Sequence, residues 1–165
     1  MAPTKILVAS LAASLLPAAV LAEEQVLRFK LVITTTNDTK MDLPSIADRS
    51  LVGSEAVGVA YFEDGRVAFK RFALATIRGE EDGNWMGLST YTFENGDALN
   101  LQFTGSWSPE GATVDYALLS GTGAFEGATG SGELTGINTS WKDALLFDGT
   151  FTLEVAANCA GAALR

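Results

Sequence analysis

The chain of 165 residues contains no histidine. That absence removes Ser-His and Cys-His pairs, imidazole general bases and zinc sites built on imidazole. Cysteine is nearly as scarce: Cys159 stands alone, and one thiol cannot close an internal disulfide. Basic residues are outnumbered, 11 Lys and Arg against 20 Asp and Glu, for a formal net charge of −9. Such a surface repels phosphates, which excludes nucleic acid and anionic membrane as partners. Long apolar runs are confined to the start of the chain, so no stable membrane insertion is expected.

That opening run reads as a signal peptide over residues 1–22. Lys5 supplies the positive flank, Ile6 to Leu16 the apolar core, and Val20-Leu-Ala22 a small-residue cleavage site. Cleavage after Ala22 places the protein outside the cytoplasm, secreted or periplasmic, with a net charge of about −10 once Lys5 is gone. Residues 23–156 then form a single domain and residues 157–165 an Ala- and Gly-rich tail.

What the chain does have is a period of two. Leu27, Phe29, Leu31 and Ile33 alternate with Arg28, Lys30, Val32 and Thr34, which makes a strand with one apolar face. Asn37 to Arg49, polar and interrupted by Pro44, reads as a loop. Seven further strands are expected near 53–62, 66–78, 85–94, 97–107, 113–120, 130–139 and 144–156, separated by turn residues such as Asp64-Gly65 and Asn95-Gly96. Evenly spaced short strands mean a sandwich or a barrel, and closure removes exposed edges.

Two hairpins set register. A three-residue loop Glu63-Asp64-Gly65 with a glycine bulge puts Val57, Val59 and Tyr61 in one row with Val67, Phe69, Ala73 and Ile77. A two-residue loop would instead bring Lys70 into that row. The same loop type at Glu94-Asn95-Gly96 joins Ser89, Tyr91 and Phe93 to Leu99, Leu101 and Phe103. In this register Glu55 and Arg71 are the charged residues of the apolar row on the first hairpin, diagonal to one another. If they point inward they must pair, and losing one partner would cost about 3–5 kcal/mol. Glu55, Arg71 and Tyr91 are therefore the candidate catalytic residues, with Val57, Val59, Phe69 and Phe103 lining a ligand pocket.

The stretch Leu118-Leu-Ser-Gly-Thr-Gly-Ala-Phe-Glu-Gly-Ala-Thr-Gly130 carries no Lys-Ser or Lys-Thr after its glycines and no helical periodicity. It therefore lacks the marks of a phosphate-binding loop and reads as a tight corner between two strands. It resembles the strand–corner–strand segment of allene oxide cyclases and of the related dirigent proteins. The resemblance implies an all-β, eight-stranded antiparallel closed barrel, a homodimer or homotrimer, and a lipophilic interior pocket. The cyclase chemistry does not transfer residue by residue: Val32 to Asp38 offers Asn37 but no matching glutamate, and the pocket cysteine has no counterpart. Asp38, Asp42 and Asp48 match no calcium loop, so neither metal nor cofactor is expected. Three functions fit these residues. They are binding of a small lipophilic molecule inside the barrel, a cofactor-free cyclase or isomerase acting on such a molecule, and a structural or partner-binding envelope protein.

Overall fold

A computed structural model describes residues 22–42, 45, 46 and 48–156. The expected leader up to residue 21 and the tail from residue 157, with Cys159, lie outside the described residues. The strands are β1 (Ala22–Asp42), β2 (Ser50–Phe62), β3 (Val67–Arg78), β4 (Gly83–Phe93), β5 (Ala98–Ser108), β6 (Gly111–Thr122), β7 (Thr129–Ile137) and β8 (Leu145–Ala156). Each pairs antiparallel with the next, and β8 pairs with β1, which closes the barrel. The eight-stranded all-β fold read from the period of two is the fold observed.

Turn chemistry sets the register. The Phe62 N–H donates to the Arg66 carbonyl at 2.9 Å and the Gly65 N–H to the Phe62 carbonyl at 3.0 Å, with Gly65 at φ 88°. This is the bulged three-residue loop, and it fixes Glu55 opposite Ala73 and Val57 opposite Arg71. Gly96, at φ 90°, repeats the arrangement between β4 and β5. Most boundaries differ from the sequence reading by one to three residues, and β1 differs most. Asn37 to Asp42 is strand, not loop, because β1 continues past a bulge at Thr35/Asn37 and pairs with Ser50 to Glu55. Thr36 Oγ1, at the bulge, donates to the Glu55 carbonyl at 3.0 Å.

The face of the first hairpin is a second correction. Ala56, Ala60, Ala68 and Lys70 are buried, while Glu55, Tyr61, Phe69 and Arg71 are exposed and Val57 and Val59 only half-buried. The register was right and the side inverted. The reason is volume. Phe29, Tyr91, Phe103 and Phe151 project into the barrel from the other strands, so the inward positions in the middle of β2, Ala56, Gly58 and Ala60, are small.

Glycine solves the same problem elsewhere in the wall. Phe29 is opposite Gly149, Phe151 opposite Gly132, Phe103 opposite Gly87, Trp85 opposite Gly105 and Trp107 opposite Gly83. In all five pairs a Cβ on the glycine would collide with the facing ring. Large rings lie over bare backbone, which lets an eight-stranded barrel hold so many of them.

The β6–β7 corner is a single 3₁₀ turn, Gly123–Phe125. Gly123 and Gly127 take positive φ, 61° and 73°. Gly121 does not; it is small because a Cβ there would strike the Phe125 backbone. Phe125 is 2% exposed and stacks on Phe93 at 5.1 Å.

Candidate functional site

The end of the barrel that carries the β2–β3, β4–β5 and β6–β7 connections is filled. Phe29 lies 4.9 Å from Phe62 and 4.8 Å from Phe151, and Phe62 lies 5.1 Å from Phe93. Pairs at these separations add about 0.5–1.5 kcal/mol each beyond area burial. Arg66 covers the stack, its guanidinium carbon 5.2 Å from the Phe93 ring and 5.8 Å from the Phe125 ring. Asp64 holds that guanidinium through Nε at 2.9 Å and Nη2 at 2.6 Å. The same contact keeps the Asp64 carboxyl below its ordinary range.

At the opposite end the barrel contains a cavity of about 610 Å³. Its wall is mainly apolar and aromatic: Ile33, Leu74, Trp85, Phe103, Val114, Leu134 and Phe147 within, and Trp107, Ile137 and Trp141 at the mouth. Small or short residues, Ser54, Thr76, Ala112 and Gly136, leave the space. The mouth is polar, with Arg78, Glu80 and Asn138. The volume and the apolar wall with few polar groups are those of a small-molecule cavity.

Lys70 lines this cavity and is 2% exposed. It comes from β3, whose inward positions read Ala68, Lys70, Phe72, Leu74, Thr76, so strand alternation alone aims its amine inside. Its Nζ donates to the Tyr116 hydroxyl at 2.6 Å, and that hydroxyl lies 3.3 Å from the Tyr91 hydroxyl. Among the described residues no carboxylate pairs with it. Four rings surround the nitrogen: Phe72 with its centroid at 4.2 Å, Tyr91 at 5.1 Å, Tyr116 at 5.2 Å and Phe103 at 5.6 Å.

Two effects compete for the charge on Lys70. The rings favour the ammonium by about 0.5–2 kcal/mol. Removing an unpaired cation from water costs several kcal/mol. Desolvation is the larger, and burial brings the Lys70 pKa down from 10.5 to about 7. The amine therefore changes charge near neutral pH, where ordinary lysines stay protonated. Burial pushes both phenols the other way: Tyr91 well above its ordinary 10.0, with Tyr116 adding to the effect, and Tyr116 upward as well. Both remain protonated donors at physiological pH. The Ser89 hydroxyl sits close enough to favour the Tyr116 phenolate slightly, yet it is buried without a hydrogen bond of ordinary geometry among the described residues.

Of the residues singled out from the sequence, Tyr91 and Phe103 belong to this interior; Tyr91 is fully buried behind Tyr116, and Phe103 is in the cavity wall. Glu55 and Arg71 are on the outer surface with Val57, in a groove that runs across β2 to β6. They cannot be the interior ion pair that the inverted face suggested. Val59 and Phe69 are on the outside too, opposite each other across the β2–β3 ladder. Asn37 is exposed, opposite Glu55. The sequence reading missed Lys70 and Tyr116. A signal for Lys70 was present, since it shares a strand face with Ala68, Phe72 and Leu74, but its charge counted against that row.

The chain folds as a small closed eight-stranded antiparallel barrel around a cavity, a fold similar to that of dirigent proteins of known structure. Among solved structures it is similar to the pterocarpan synthase dirigent protein GePTS1, with 17% identity, a TM-score of 0.58, and coverage of 90% of this chain and 97% of that one. The pterocarpan synthase dirigent protein PsPTS1 is similar at 15% identity and a TM-score of 0.54, over 81% of this chain and 96% of its own. A conserved protein of unknown function from Rhodopseudomonas palustris matches at 11% identity and a TM-score of 0.50, over 79% and 97%. No protein-family model matches the chain, and no curated protein matches it by sequence. At these identities the likeness establishes the fold, and the site stands on its own residues.

Proposed function

We propose that the protein is a secreted or periplasmic barrel that binds a small lipophilic molecule in its interior. The observation that supports this is the 610 Å³ cavity, apolar along most of its wall, with polar groups at Lys70, Tyr116, Ser54, Thr76 and the mouth. Apolar surface on a ligand would be buried against Ile33, Leu74, Val114 and the indoles, and the amine–phenol pair would orient one polar group. The similarity to dirigent proteins named as pterocarpan synthases is in keeping with an interior that handles small organic molecules.

A second reading, a cofactor-free cyclase or isomerase, is favoured by the same polar pair. Groups that can give or take a proton at the inner end of a largely apolar cavity are what such chemistry needs. Tyr91 keeps a part in it as the phenol that supports Tyr116, and the roles first given to Glu55 and Arg71 pass to Lys70 and Tyr116. The third reading, a partner-binding envelope protein, draws on the outer face. Leu51, Ile77, Met86, Leu88 and Leu119 are exposed there, each more than 40%. The same face supports a homodimer or homotrimer.

All three tryptophans line the cavity, so intrinsic fluorescence reports its occupation. Titration with lipophilic alcohols, aldehydes and acids is expected to quench or shift that emission saturably. Native mass spectrometry should show one molecule per chain. If no member of such a panel changes the emission or the melting temperature, the binding function is wrong.

A further inference from the structure

We propose that Lys70 is a carbonyl-capturing amine, adding its Nζ to a lipophilic aldehyde or ketone in the cavity to form an imine, with Tyr116 as its proton relay. This deepens the small-molecule reading and rests on it: it names the substrate class and gives the site a covalent step. Among the described residues Lys70 is the charged side chain that the fold has buried, and it faces the cavity rather than a carboxylate. A lysine kept for structure alone would be expected to reach water or an acid, because an unpaired cation in an apolar interior is costly.

The surroundings suit the chemistry. The phenol of Tyr116 lies 2.6 Å from Nζ, close enough to pass a proton to an oxygen attached at the neighbouring carbon. Phe72, Tyr91, Phe103 and Tyr116 enclose the nitrogen and keep water from an imine once formed. The neutral amine, the form that attacks, is well populated at neutral pH because burial lowers the Lys70 pKa to about 7. The titratable groups in contact with it are the two phenols, Tyr91 from β4 and Tyr116 from β6, while Arg78 and Glu80 stand at the mouth.

The step balances without a co-reactant. The nitrogen lone pair forms a C–N bond as the carbonyl π electrons move onto oxygen. A proton leaves nitrogen and, through Tyr116, reaches that oxygen. A second proton transfer along the same path releases the oxygen as water and leaves the C=N bond, so amine and carbonyl compound become imine and water. Tyr116 ends as it began.

Reductive trapping tests this on the full chain. The protein is incubated with trans-cinnamaldehyde and sodium cyanoborohydride, and the adduct is located by peptide mapping. Cinnamyl alcohol, which cannot form an imine, serves as the binding control, read by tryptophan emission. The expected result is preferential labelling of Lys70, at least about tenfold faster at pH 7 than of Lys30, Lys40 or Lys142, since burial leaves the Lys70 amine substantially neutral there. The Lys70 labelling rate should level off above about pH 7. Lys70→Met should abolish the fast phase, and Tyr116→Phe should slow it by a larger factor than it weakens the binding of cinnamyl alcohol. The mapping on the unaltered protein decides the matter even if either variant fails to fold. Binding of cinnamyl alcohol without labelling of Lys70 would overturn the imine and leave the pocket function standing. Octanoate binding in the cavity with no aldehyde trapped would make Lys70 an anion anchor and overturn it as well. If neither alcohol nor octanoate binds and no aldehyde is trapped, the imine and the pocket function fail together.

Discussion

At the hairpin end of the barrel Phe29, Phe62, Phe93, Phe125 and Phe151 form a continuous aromatic stack, whereas at the other end Trp85, Trp107 and Trp141 surround a space. The same eight strands build both ends. What differs is what faces the rings. Rings lie over glycines at both ends, Phe29 and Phe151 over Gly149 and Gly132, Trp85 and Trp107 over Gly105 and Gly83. At the filled end one ring also meets the next, whereas around the cavity Ser54, Ala112 and Gly136 complete the wall. Room for a ligand is therefore made by subtracting side-chain volume at one end, without altering the sheet. The filled end supplies rigidity, and the mouth can vary in chemistry at small cost to the fold. Lys70 stands at the junction between the two.

Breaking the filled end should have the largest effect. Phe151 is fully buried and contacts Phe29, Tyr91 and Tyr116, so Phe151→Ala should cost about 3–5 kcal/mol in urea denaturation. A loss below about 1 kcal/mol would mean that the stack is not the anchoring core.

The junction gives an effect of opposite sign. In the unfolded chain Lys70 keeps its ordinary pKa of 10.5, and in the fold it falls to about 7. Between these values the unfolded chain holds a proton that the folded chain has released, so this group adds stability as pH rises from about 7 to 10.5, and below about 7 its full penalty is present. Lys70→Met should therefore stabilise the protein by about 2–4 kcal/mol at pH 6, with the gain offset in part by the lost hydrogen bond to Tyr116. The gain should shrink towards zero by pH 10. Equal gains at pH 6 and pH 10, from urea curves, would show that the amine is not desolvated.

The corner beside the stack is a finer test. Gly123→Ala combines positive φ with a collision against the Asp97 carboxylate and should cost about 2–3 kcal/mol. Gly127→Ala has open space and only the backbone strain, so about 1 kcal/mol is expected. Melting temperatures in the reverse order would mean that the Asp97 side chain moves aside freely. The smallest effect belongs to the outer wall. Glu55→Gln and Arg71→Met, each exposed, should change stability by less than about 0.5 kcal/mol. A loss of several kcal/mol in either would put these side chains inside after all.

The sequence by itself determined the number of strands, their order and the register of two hairpins. Period-two alternation, Gly65 and Gly96 are local features, and each acts through neighbours a few residues away. It also carried the resemblance to the barrel class, through the glycine corner and Phe125. Only the tertiary structure decided which face of β2 and β3 turns inward. Both faces are apolar enough: Val57, Val59 and Phe69 on one, Ala56, Ala60, Ala68 and Phe72 on the other. The choice rests on volume supplied from distant strands, because the rings of Phe29, Tyr91, Phe103 and Phe151 face the middle of β2, where the inward residues are Ala56, Gly58 and Ala60. That same choice sends Glu55 and Arg71 to water and draws Lys70 into the cavity beside Tyr116, 46 positions along the chain. Alternation within a strand is settled by local geometry, whereas the side that faces the core is settled by packing among all eight strands.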